Sequence, residues 1–195
     1  MKNFIIIVLF ISLFTSCKKP DKKVALLSQC LRSSNITLQK TNNWFLSLCS
    51  GNLRKIERDT INYDVEKVKY YHFLLDSSRK IFNKIDDNIF YTYGNIDSES
   101  EINIKDVKVK IPRLLDSLKI VFNKNKFFFK GEKNEIDSLC YEIKDENSKE
   151  NFLILLQIQE IYNEIVFETV SYINVQGAKA CRGDCSYIEE GRIPE

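Results

Sequence analysis

From Phe152 to Ile173 the chain carries apolar residues at Phe152 to Leu156, Ile158, Ile161, Tyr162, Ile165, Val166, Phe167, Val170, Tyr172 and Ile173. Wound as a helix of 3.6 residues per turn, this run is apolar around more than half of its circumference. Such a helix must be surrounded by neighbours, so the rest of the chain has to supply them. Asn147 with Glu150 marks its start as a cap, and Gly177 marks its end. Only 6 Gly and 3 Pro occur in 195 residues, and so few breakers favour long helices over a many-stranded fold.

The partners are legible as further helical stripes. A first helix is expected from Val24 to Ser50, with Leu27, Leu31, Ser34, Leu38, Thr41, Phe45 and Leu48 in a 4-3-4-3 seam. Gly51-Asn52 is a plausible stop, although Leu53 and Ile56 allow another turn. A second helix, Ile61 to Phe90, carries Ile61, Val65, Val68, His72, Leu75, Phe82 and Ile89 on one stripe. The short link makes it an antiparallel neighbour of the first. Ser98 and Glu101 form a capping box for a third helix through Ile104, Val107, Ile111, Leu114, Leu118 and Val121. Pro112 falls inside it and implies a kink; alternating Ile102, Ile104, Val107, Val109 and Ile111 offer a short edge strand as the rival. A short extra helix spans Glu135 to Ile143. The expected fold is all-α: an up-down-up-down four-helix bundle over residues 24–176, with an irregular tail over 177–195.

Before the bundle, Lys2 precedes an apolar run, Phe4 to Phe14, of 11 residues broken only by Ser12. That is short of the roughly 20 needed to span a bilayer and has the proportions of a signal-peptide core. Leu13-Phe14-Thr15-Ser16-Cys17 resembles a bacterial lipoprotein signal, or lipobox. The resemblance implies removal of residues 1–16, lipid (palmitate-type acylation) on Cys17, and a membrane-tethered chain whose residues 17–23 form a charged, uncompact tether. Phe14 stands where the pattern prefers Leu. The alternative is a cleaved signal with an unmodified cysteine. The basic Lys-Pro-Asp-Lys-Lys stretch after Lys18 directs the expectation to the periplasmic face of the outer membrane.

Charge narrows the partners. With 29 basic and 27 acidic residues the net charge is +2, which gives no reason to expect nucleic acid. Six cysteines occur. Cys30 and Cys49, 19 residues apart on one helix, are separated by about 28 Å and cannot bridge. Cys181 and Cys185 are the local candidates for a disulfide, and Cys30, Cys49 and Cys140 read as small buried hydrophobes.

No site of chemistry stands out. GxxxxGK[ST], GxGxxG, GxSxG and HExxH are all missing. His72, the single histidine, reads as a packing residue on the core stripe. Glu160, Glu164 and Glu168 recur every four residues, but a di-metal bundle core needs two Glu-x-x-His helices, so they read as a solvated stripe. Cys181-Arg182-Gly183-Asp184-Cys185 is similar to the disulfide-closed loops of disintegrin-like ligands; a clasp on the tail or a redox pair are the competing readings. Trp44 and Phe45 read as bundle filling, with a docking patch as the alternative for Trp44, which falls beside the main stripe. No catalytic residue, metal or cofactor is expected.

The first helix, with Leu31-Arg32-Ser33-Ser34-Asn35-Ile36-Thr37-Leu38-Gln39-Lys40-Thr41-Asn42-Asn43, and the last, with Leu155 to Glu160, Glu164 and Glu168, together resemble the N-terminal periplasmic helical domain of the GldM family of type IX secretion and gliding-motility machinery. That family has a transmembrane helix and following β-sandwich domains, where this chain has a lipobox and a cysteine-bearing tail. The resemblance implies a non-catalytic envelope protein acting by protein–protein contact, as a scaffold or accessory of secretion or gliding. Three other functions compete: a bundle binding a small apolar or lipidic ligand, a thiol-redox enzyme using Cys181 and Cys185, and an adhesion protein presenting Arg182-Gly183-Asp184.

Overall fold

A computed structural model describes residues 20–86, 104–123, 130–144 and 149–180. They form five helices: α1 (Pro20–Arg58), α2 (Val65–Ile85), α3 (Ile104–Val121), α4 (Lys130–Glu142) and α5 (Lys149–Ala178). Among the described residues there is no strand, so the all-α class holds.

The apolar girth of α5 has the expected consequence. It packs against α1, α2 and α4 and buries Leu155, Ile158, Tyr162, Ile165, Val170 and Ile173. The Tyr162 ring meets Phe82 edge-on, and its hydroxyl donates to the Phe82 carbonyl at 3.2 Å. Burial therefore leaves no polar handle unsatisfied there.

The direction of each helix is set by its cross-contacts. Asn35 reaches Leu156, Asn42 reaches Asn163 and Cys49 reaches Val170, at a constant offset of 121 residues. A constant difference means that α1 and α5 run parallel. Against α2 the numbers run oppositely: Glu57 meets His72 and Leu46 meets Arg79, so α1 and α2 are antiparallel as expected. Four long helices in up-down-up-down order would set the first and last antiparallel. Their parallel course corrects that expectation for the first and last helices.

Several boundaries also move. α1 begins at Pro20, inside the stretch expected to be an uncompact tether; a proline suits a first helical turn, where its missing N–H has no intrahelical partner. At its other end α1 runs through Gly51 to Arg58, because fully buried Leu53 outweighs the roughly 1 kcal/mol that a helical glycine costs. α2 starts later than expected, at Val65. Asn62 donates from its backbone to Asp59 in the preceding turn, and the Asp64 carboxylate accepts from the Lys67 N–H as the N-cap. The Asp64 backbone N–H also donates to the Ala180 carbonyl at 2.9 Å, tying the start of α2 to the end of α5.

Pro112 lies inside α3, which continues through it, and the rival strand does not form. Val107, Ile111, Leu115 and Leu118 are buried along it, and Phe122 just beyond its end. α4 starts at Lys130, a turn earlier than expected, and buries Ile136 and Cys140. Gly177 is helical rather than a stop. A Cβ there would overlap the Leu53 side chain, so its bareness serves the close approach of α1 to α5. The capping box at Ser98 and Glu101 lies outside the described residues.

Candidate contact face

α1 has two faces, and the sequence pattern selects the wrong one as buried. The expected seam leaves Leu27 and Leu48 exposed and Leu31, Leu38 and Phe45 half-buried. The buried positions are Asn35, Asn42, Leu46, Cys49 and Leu53, centred roughly 80° around the helix from the expected stripe.

Polar chemistry decides this rotation. Asn35 Nδ2 donates to the Leu156 carbonyl at 3.0 Å, and Asn42 Nδ2 donates to the Asn163 carbonyl at 2.8 Å. Asn163 Nδ2 returns a hydrogen bond to Asn35 Oδ1 at 3.3 Å. The three asparagines are 2%, 5% and 3% exposed, for Asn35, Asn42 and Asn163. Two turns further, the Cys49 thiol lies 3.9 Å from the Val170 carbonyl, and Asn52 donates to Asn174 Oδ1 at 3.2 Å. Asn35, Asn42 and Cys49 are seven residues apart, as are Leu156, Asn163 and Val170. This is a heptad seam whose polar members fix the register. A slipped register would strand buried amides at about 1–3 kcal/mol each.

Burying that seam turns the other side of α1 outward. Between Ala25 and Gly51, 15 residues are exposed, and Lys40 is the only charged one. On α2, by contrast, 6 of the 8 exposed residues are charged, so the bareness of α1 is particular to that helix. The face holds Leu26 (63% exposed), Leu27, Ile36, Trp44 (64%) and Leu48, with Cys30, Ser33 and Thr37 between them. At its edge Phe45 stacks on half-exposed Phe167 of α5, ring centroids 5.3 Å apart. Depletion of charge around an exposed aromatic is the composition of an interface centre. Trp44 is thus not bundle filling.

The remaining candidate residues are dispersed. Cys30 is exposed, against expectation, because it lies on this outer face; Cys49 and Cys140 are buried thiols as expected. Burial pushes both up to about 12 from the ordinary 9.0, so neither is a nucleophile near neutral pH. His72 is largely buried, with Nε2 3.3 Å from Glu57 Oε2, an ion-pair separation without hydrogen-bond geometry. Glu160 accepts from Ser34 at 3.4 Å, while Glu164 and Glu168 are exposed. Burial first, and then Glu132 and Glu164, raise the Glu168 carboxyl. Lys133 bridges Asp137 at 2.6 Å and Asp116 at 3.4 Å, pinning α4 to α3. Among the described residues no group of three or more His, Cys, Asp or Glu could hold a metal ion, and no helix is long and apolar enough to cross a membrane. Cys17, Cys181 and Cys185 lie outside the described residues.

Sequence reasoning missed the asparagine ladder and therefore the outer face. The available signal was the seven-residue spacing of Asn35, Asn42 and Cys49 beside an Asn163 in the most apolar helix. No protein family, curated protein or solved structure matches the chain.

Proposed function

We propose that this chain is a lipid-anchored, non-catalytic envelope protein that works by protein–protein contact through the outer face of α1. One observation carries the reading: about seven turns of helix whose exposed side carries a single charge and includes Trp44. Solvated helices carry charges on their outer sides, as α2 does, and an uncharged aromatic face is stabilised by being covered. The anchor part rests on the lipobox resemblance at Cys17, and the class of partner, secretion or gliding machinery, on the resemblance to the GldM family. The helices are proposed to alternate in direction through all five passes, presenting α1 at the edge of the bundle.

The test is copurification from crosslinked membranes with mass spectrometry, comparing native protein, Cys17→Ala and Trp44→Glu. Envelope components recovered with the native form and lost from both variants are the expected result. A native protein that fractionates with membranes yet recovers the same proteins as Trp44→Glu would overturn the role of this face.

A further inference from the structure

We infer that the first occupant of the α1 outer face is a second copy of this chain, paired parallel about a twofold axis along α1. The inference rests on the contact reading above and deepens it by naming the partner. Two features of the structure, together with the proposed anchor, point to a copy rather than to an unrelated protein.

The face is self-compatible. In a twofold pairing each residue meets the same surface of its copy, so charges on the face would oppose like charges. From Leu26 to Gly51 the only exposed charge is Lys40, and it takes one position of the stripe, seven residues after Ser33 and four before Trp44; a single lysine at such a position fixes register at some cost in stability. The exposed positions Leu26, Cys30, Ser33, Thr37, Trp44 and Leu48 recur at helical spacing over about 33 Å. That is about three heptads, the length from which a helix pair reads as a coiled coil.

The edge is complementary. The offset of 121 places Lys40 level with Ile161 on α5, between Glu160 and Glu164. In a parallel copy rotated by half a turn, the Lys40 stem packs on the stripe and its ammonium extends to the opposite edge, at the height of those carboxylates. Each copy therefore offers a cation to an acidic flank of the other, as e and g positions do in coiled coils.

The direction agrees with the anchor. α1 begins at Pro20, only three residues beyond Cys17. Parallel pairing brings both proposed anchors to one end and hence to one membrane. Antiparallel pairing would separate them by the length of α1, about 58 Å.

The mature chain, purified in mild detergent, tests the pairing by sedimentation and by mild oxidation with mapping of crosslinked peptides. Cys30 lies close to the proposed axis, where two thiols come within disulfide reach; each loses a proton and an electron to the added oxidant as the S–S bond forms. The expected result is a dimer with a Cys30–Cys30 linked peptide that Cys30→Ser abolishes. Trp44→Glu should weaken the dimer more than about 30-fold with its helical circular dichroism intact. Lys40→Glu should weaken it a few-fold, and the Lys40→Glu, Glu164→Lys pair should restore it. Should Trp44→Glu not fold, Thr37→Glu on the same face replaces it. A monomer at every concentration, or a dimer with no Cys30 linkage and indifferent to these substitutions, would overturn the pairing. So would a monomer that instead binds anionic-lipid vesicles through Trp44. A monomeric chain whose envelope partners still depend on Trp44 would sink the dimer and leave the contact reading standing.

Discussion

Replacing Asn163 by alanine tests whether the register of α1 on α5 is held by buried amides. Asn163 Nδ2 supplies the hydrogen bond to Asn35 Oδ1, and its own Oδ1 accepts from Asn42. Alanine removes both bonds, worth about 1 kcal/mol each, and leaves Asn35 Oδ1 buried without that donor. Asn35 and Asn42 keep their bonds to backbone carbonyls, so the loss stops short of the whole ladder. An orphaned buried acceptor costs about 1–3 kcal/mol in place of the bond it made, for a total near 3 kcal/mol. In a domain of this size that lowers the midpoint by roughly 6–12 °C. Thermal and urea unfolding followed by circular dichroism at 222 nm would measure it. Changing Asn35, Asn42 and Asn163 together to leucine should recover most of the loss, since no polar group then remains to be satisfied, while hydrogen exchange across α1 becomes less protected as the register loosens. A loss below about 0.5 kcal/mol for Asn163→Ala would refute the reasoning, because that is the size of a surface effect.

Gly177→Ala brings a Cβ into the Leu53 side chain; overpacking of about 1–3 kcal/mol should exceed the gain of up to about 1 kcal/mol in helix propensity, and Leu53→Ala should make the same change neutral or favourable in a double-mutant cycle of urea midpoints. Cys30 should react quickly with a thiol reagent at pH 8, whereas Cys49 and Cys140 should react only at the rate of unfolding. Because burial raises those two thiols in the folded state only, stability is full below pH 9 and falls as pH rises toward about 12; an alkaline titration that shows no loss there, or one that Cys49→Ala leaves unchanged, would contradict this origin. Tyr162→Phe removes one buried hydrogen bond to the Phe82 carbonyl and should cost about 1 kcal/mol in the same urea assay.

The periodicity of apolar residues was enough to place five helical segments and to put the last of them at the centre, because 3.6-residue repetition is a local property that any partner must respect. The buried residues of α3 and α4 were largely legible for the same reason: Val107, Ile111, Leu118, Ile136 and Cys140 are apolar and inward. On α1 the same logic failed. Leucine and phenylalanine made one stripe look like a seam, while the true seam was built from Asn35, Asn42 and Cys49. An asparagine is a core residue only where its amide meets another amide or a free carbonyl, and those partners lie 121 to 128 residues away on α5.

The sequence by itself thus determined the helices, their apolar weights and the central place of α5. Tertiary structure decided the rotation of α1, the parallel course of α1 and α5, and the exposure of Trp44. Those depend on long-range hydrogen bonds whose partners become neighbours only when the chain has folded, and the side of α1 left over from that pairing is the candidate contact face.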